Sequence, residues 1–436
     1  MKDRRVLIQS LVAACVAVSV LAQATPLAAR SSGHEVWAID QSDSVVDGGG
    51  RLYVYKGSSL GGRNAGLAVP EVVDFGGDAR TTCLEATTTA PRRPHMLFFS
   101  PSQSHAIVSF VATGHVLFLD ALTRDAVGCV DVGLQAHAAV PTPDGSAVLV
   151  SNQNGKLLQR INTEYETNTF TLDAAATIDL AACTTPSGAA CQDPVLRPDN
   201  APICPVIDAT GRRAFVTLRG GGMLVVDPTA TPMRIVAEYD QATVHPNGCG
   251  GVETAGKMYI NSGGGTPANP LESDLYSFQL DEFSPVSSPP NTPAPSLAFS
   301  HDERGFVDSH GATVTRRGRY VWLSDRAANQ LVVVDSRTDR VVKKLDLVGN
   351  LSSDPAPDLL DVSPAGRRVY VSLRGTQPLT ANVPGVDNAV GATPGVGVVR
   401  VSRSRAGGTL QAIAPISNLV NGAEQADVHA LRVRRL

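Results

Sequence analysis

Along most of this chain, apolar residues come in short runs that alternate with polar ones every second position, as in RVYVSL (368–373), YVWLSD (320–325) and AVLVSN (147–152). That period belongs to half-buried strands. The runs recur in sets. Stretches 136–155, 309–335 and 357–375 share one layout: a short apolar strand, a tight turn ending in glycine, a β-branched strand, a polar loop and another apolar strand. The turn glycines are Gly145, Gly318 and Gly366, with Gly211 and Gly256 in weaker copies and Gln103 at the matching place of another. Glycine is favoured there because such turns need positive φ. Six residues past each turn stands a small hydroxyl: Ser109, Ser151, Thr217, Ser262, Ser324 and Ser372. A register kept this often predicts duplicated units.

Third strands follow at 116–120, 224–227, 330–335 and 397–401, and fourth strands at 126–132, 235–239 and 341–347. A repeated unit of four antiparallel strands is the blade of a β-propeller. Counting eight residues back from each turn gives inner-strand starts near 95, 137, 203, 248, 310 and 358, and VHALRVRRL supplies another near 429. The predicted fold is therefore all-β, a seven-bladed propeller spanning 25–436. Strands at 35–40, 52–55 and 70–75 complete the blade of the C-terminal strand (427–436), closing the ring without an open edge. Polar, Pro- and Gly-rich insertions fall at 163–202, 263–273, 281–308 and 377–394.

The lines RRVYVSLRG, RRAFVTLRGGGMLVVD and RYVWLSDRAANQLVVVDSRTDRVVKKLDLVG resemble the exported YVTN-type β-propellers, a group similar to the propellers of nitrous-oxide reductase, cytochrome d1 and the lactonases. Tyr370-Val371-Ser372 and Phe215-Val216-Thr217 are the nearest copies of the naming tetrapeptide. The resemblance covers nearly all of 25–436 and implies the fold. It leaves the chemistry open, because one scaffold hosts many functions.

Composition agrees. The 436 residues hold 40 Gly and 29 Pro, which argues against a helical bundle, and are 43% hydrophobic and 18% charged, which excludes disorder. Lys2, Arg4 and Arg5 precede an apolar stretch (6–21) and a small-residue cleavage site at Ala22-Gln23-Ala24, the layout of a secretory signal peptide over 1–24. A lipobox at Val12-Ala13-Ala14-Cys15 is the rival reading, a lipoprotein. Cleavage after Ala24 removes three basic residues and one acid, so the formal charge moves from −4 to −6. An acidic chain argues against nucleic acid and anionic membranes as partners. Export to the periplasm or beyond, no transmembrane segment and a monomer are expected.

Six cysteines remain after cleavage, an even count that suggests disulfides, with fifteen pairings open. Cys204 and Cys249 each stand seven residues before their turn on adjacent blades, a register that suits a bridge. Cys183 and Cys191 flank a short insertion and would staple it, leaving Cys83 with Cys129.

Candidate chemistry gathers at one end of the channel. The inner-strand register reads His95, His137, Ile203, Gly248, His310, Asp358 and His429, with His245 three residues before its equivalent point. Imidazoles converging from several strands suit a transition metal such as copper. Nitrous-oxide reductase holds copper with a ring of propeller histidines, but Ile203 and Gly248 prevent a residue-by-residue transfer. The plainer alternative is that each imidazole bonds the backbone of a neighbouring blade. Arg219, Arg326 and Arg374 share the position eight past the turn, near Asp40, Asn152 and Asp325. They could fork onto a carboxylate or phosphate, or form inter-blade salt bridges with Asp325 and Asp358. The leading expectation is a propeller that binds a small molecule or protein at this His/Arg-rich mouth. The rivals are a copper-type oxidoreductase and a lactonase-like hydrolase, for which Asp358 beside His310 or His429 is the acid–imidazole candidate. No Gly-x-Ser-x-Gly, His-Glu-x-x-His or Cys-x-x-Cys-His motif occurs.

Overall fold

The computed structural model describes residues 33–42, 49–263, 273–286, 289–301, 308–315, 317–383 and 388–436. The expected signal peptide and Cys15 lie outside the described residues, as do parts of the insertions. Seven four-stranded antiparallel sheets form a closed β-propeller. The seven inner strands are Pro94–Phe99, Ala136–Pro141, Pro202–Ile207, Gly251–Thr254, Ser309–Val314, Pro357–Val362 and Val428–Arg435. Ring closure occurs as the sequence predicts. Val428–Arg435 pairs with His34–Asp40, which pairs with Arg51–Lys56 and then Glu71–Asp74. Glu35 accepts from Arg434 at 3.2 Å and Arg124 at 2.6 Å, tying this blade to the next.

The repeat register has a physical explanation. All six turn positions have positive φ, including Gln103 at 59°. In four blades the hydroxyl six residues on stitches its blade to the next one, whereas the buried Ser151 Oγ makes no such bond. Ser109 Oγ donates to the His137 carbonyl at 2.9 Å and Ser372 Oγ to the His429 carbonyl at 2.5 Å, while Thr217 and Ser324 donate to the carbonyls of Gly248 and Asp358. Asn261 does this work beside Ser262, donating to the His310 carbonyl at 3.2 Å. Each acceptor is the inner-strand register residue of the neighbouring blade. Buried polar groups need such partners, and here the need fixes the spacing between blades. At Gly248 the backbone runs so close to the Asn261 carbonyl that no side chain fits, which is why glycine stands where other blades carry histidine.

Two features depart from the sequence reading. Segments 163–202 and 281–308 are not wholly insertions: each contains its blade's outermost strand, Thr169–Asp179 and Ser296–His301. A helix, Asp78–Thr87, precedes the strand of His95. Its sequence, DARTTCLEAT, has a weak apolar face and three threonines, so no helical period stands out. Cys83 anchors it to Cys129 on the outer strand Ala126–Asp131. The other bridges are Cys183–Cys191 and Cys204–Cys249, so all three pairings are those the sequence favours. No helix among the described residues is long and apolar enough to cross a membrane.

Candidate functional site

A cavity of about 490 Å³ opens at the end of the channel where the inner strands begin. His95, His137, Ile203, His310 and His429 line its floor. Its wall carries Arg93, Gln135, Gln153, Arg219, Asn247, Asp308 and Arg326, and segment 379–383 crosses its rim. Further down the strands lies an apolar space of about 250 Å³ lined by Met96, Phe98, Val140, Val206 and Leu360. The histidine layer and the Cys204–Cys249 bridge separate the two.

The structure brings four of the five predicted histidines together. His95 and His429 stack with ring centroids 3.9 Å apart, His310 meets His429 edge-on at 5.1 Å, and His95 meets His137 at 4.5 Å. His245 takes a different partner, Asp274, at 2.7 Å. All four clustered rings are buried. Burial, then the cations and imidazoles around them, depresses their pKa values; His137 falls to about 3 and His95 and His429 lie well below the ordinary value. His310 is also lowered, because burial outweighs its carboxylate neighbour Asp358. The rings are neutral at physiological pH.

Their Nδ1 atoms are held. His95 Nδ1 faces Gln41 Oε1 at 2.8 Å, and the Gln41 amide nitrogen donates to Asp427 and Thr380, both at 2.9 Å, which fixes its oxygen toward the imidazole. His310 Nδ1 faces Asp358 Oδ1 at 2.5 Å, and His429 Nδ1 donates to the His95 carbonyl at 3.0 Å. The Ile203 backbone beside the His137 ring works against the effect of burial. His137 Nε2 faces His95, and its Nδ1 faces Cys204 Sγ at 3.9 Å; a disulfide sulfur can only accept, so Nδ1 carries the proton. For His429 the plain expectation, a bond to a neighbouring blade's backbone, describes one side of the ring. The other side, Nε2, remains. Close-set groups of metal-type ligand atoms, each within 4.8 Å, are His310–Asp358–His429 and His137–Cys204–Cys249. The second is bridged as a disulfide.

Asp358 is the electrostatic hub. Fully buried, it receives Arg374 at 2.7 Å and Arg326 at 3.3 Å besides His310. Burial alone would raise its pKa; Arg326, then His429, His310 and Arg374, outweigh that and hold the carboxyl well below the usual range. Arg374 also forks onto Asp427 at 2.5 and 2.9 Å, and Arg326 onto Asp308 at 2.8 and 2.5 Å. Of the predicted anion-binding set, Arg374 and Asp358 therefore sit behind the cavity wall, and Arg326 reaches the cavity while pinned by two carboxylates. Arg219, 42% exposed, stands on the rim with Asp199 at 2.5 Å. Asp325 accepts from the amides of Asp308 and Ala328 and shapes the loop below Arg326. Asn152 does similar work, bonding Val132 and Gly155.

Sequence reasoning missed Gln41, Asp308 and Asp427. A signal existed for the acids: each lies two residues before a register histidine, His310 or His429, and each pairs with an arginine eight past a turn.

The sequence matches no protein-family model and no curated protein. Solved structures do resemble it. A periplasmic gluconolactonase from Pseudomonas aeruginosa is 13% identical with a TM-score of 0.56, the match covering 92% of this chain and 99% of that one. A Lactobacillus plantarum protein gives 10% and 0.58, covering 92% and 99%. A putative 6-phosphogluconolactonase from Bacteroides fragilis gives 10% and 0.56, covering 94% and 99%. At such identities the likeness is one of fold: the chain is a seven-bladed β-propeller similar in architecture to gluconolactonase-type propellers.

Proposed function

We propose that this is an exported propeller whose channel mouth binds a small anionic molecule bearing a carboxylate or phosphate. The observation that carries this reading is the charge of the cavity: its lining holds three arginines (Arg93, Arg219 and Arg326) against one acid, Asp308, and Arg326 already engages that acid. Neutral imidazoles on the floor add donors and acceptors without cancelling the positive wall. The volume suits a ligand the size of a sugar acid. Export is supported by the leader-like stretch at 6–21 and by the pairing of Cys83, Cys129, Cys183, Cys191, Cys204 and Cys249 in disulfides, which persist in oxidising compartments.

Calorimetric titration of the metal-free protein with gluconate and 6-phosphogluconate tests the reading. Saturable binding that weakens with salt is expected. Arg219→Ala should lower affinity about 5- to 10-fold with little loss of stability, because this side chain is half in solvent and offers forked donors to an anion. Heat signals that are absent, or indifferent to Arg219, would reject it.

A second reading has an observation of its own. His310 lines the cavity, and its Nδ1 is oriented by Asp358 at 2.5 Å, the arrangement that leaves Nε2 to act as a base. Opening of a lactone by water activated at His310 would generate the carboxylate the arginines favour. Lactone hydrolysis that disappears in His310→Gln supports this; activity equal to the uncatalysed rate removes it while leaving anion binding intact.

A further inference from the structure

We propose that His95 and His137 hold one late first-row divalent ion, copper(II) or zinc(II), through their Nε2 atoms, with its remaining coordination positions facing the mouth cavity. The inference rests on the mouth being the functional site.

Three features carry it. The first is spacing. The two Nε2 atoms stand 3.2 Å apart. Two metal–nitrogen bonds of about 2.0–2.1 Å at a tetrahedral angle span about 3.3 Å. The second is the hydrogen count. Gln41 presents a carbonyl oxygen to His95 Nδ1, and the Cys204 disulfide sulfur, which has no proton to give, faces His137 Nδ1 at 3.9 Å. A neutral imidazole that donates from Nδ1 carries a lone pair on Nε2. Two lone pairs therefore meet in a buried place, where a cation resolves the conflict; a shared proton would either cost one ring its Nδ1 bond or make it a buried imidazolium near Arg326 and Arg374. Fixing Nδ1 by an outer acceptor is how proteins orient imidazole ligands. The third is rigidity. The stack of His429 on His95 and the rigid inner strands Pro94–Phe99 and Ala136–Pro141 hold both rings before any ion arrives.

The donor set also selects the metal. Asp308 and Asp358 are committed to arginines, so no carboxylate is left to favour calcium or magnesium, and an imidazole pair suits copper or zinc. With two protein ligands, the open positions would accept water or the anion of the cavity.

The full chain, purified after export and stripped with chelator, is titrated with copper(II) and followed by electron paramagnetic resonance, then with zinc(II) as competitor. One equivalent is expected, with hyperfine structure from two imidazole nitrogens. His95→Gln and His137→Gln should each weaken binding at least about 30-fold, while His245→Gln leaves it unchanged. Gln41→Ala, which keeps both ligands but frees Nδ1 of His95, should weaken it about 10-fold and guards against misfolding of the histidine variants. Binding below one equivalent, or binding equal in wild type and both histidine variants, overturns the inference. Gluconate titration of the metal-free protein separates the two readings. Anion binding without copper binding defeats the metal site alone, and copper binding without anion binding defeats the anion reading alone.

Discussion

Arg374→Met should be among the most damaging single substitutions in this propeller, lowering stability by about 3–5 kcal/mol. Arg374 is fully buried and joins Asp427 of the closing blade to Asp358 of its own blade, and it also donates to the Thr380 carbonyl at 3.0 Å. Methionine fills similar space but leaves Asp427 facing a carboxylate-rich pocket without its guanidinium. An uncompensated buried charge costs more than the intact pair gains. For a chain this long the loss corresponds to a fall in Tm of roughly 4–6 °C, readable by calorimetry. The double variant Arg374→Met/Asp427→Asn should recover part of it, because Asp358 keeps Arg326 at 3.3 Å. A single variant within about 0.5 kcal/mol of wild type would show that the network is solvated and not a structural hub. The same change should loosen segment 379–383 over the mouth, since the Leu379 amide donates to Asp427 at 2.7 Å.

This hub shows what could and could not be read from residue order. The blade count, ring closure and histidine layer follow from one register, because a duplicated strand–turn–strand unit must place equivalent residues at equivalent heights. The hydroxyls announce the stitching between blades for the same reason. Pairing across blades is another matter. Arg326 turns to Asp308 of its own blade and Arg374 to Asp427 of the next, although both occupy one register position. Their choice depends on where the acids lie in three dimensions, which no period encodes. His245 illustrates the converse: it lies three residues from the register, in a longer segment that carries it to Asp274. Gln41 stands in its blade where Arg326 and Arg374 stand in theirs, its amide donating to the Asp427 carbonyl as theirs do to Asp308 and Ala356, but its strand follows no turn from which the register could be counted, because its inner strand comes from the other end of the chain.

Asp40, on that same seam, makes stability depend on pH in a direction opposite to Asp358. It is buried, and its pKa is pushed up to about 6, first by burial and further by Asp427, against the amides of Asp427 and Ser42 that it accepts. The folded state therefore prefers the protonated acid. Below the free value of 3.8 Asp40 costs nothing; between there and about pH 6 the folded protein must ionise a buried group, and above that the cost is complete. Asp358 has the reverse sign: its stabilisation is present above the free carboxylate value and is lost only as pH falls far below it. Asp40→Asn should therefore gain stability relative to wild type as pH rises from 4 to 6, reaching about 3 kcal/mol above pH 6 as an upper bound, on top of a constant offset from the altered hydrogen bonds. Unfolding midpoints of both proteins across pH 4–8 provide the comparison. A difference that stays flat through that window would mean that Asp40 ionises freely at the seam. A difference that grows from pH 4 to 6 and then levels identifies the junction of the chain's two ends as the part of the ring where ionisation of a buried acid weakens closure.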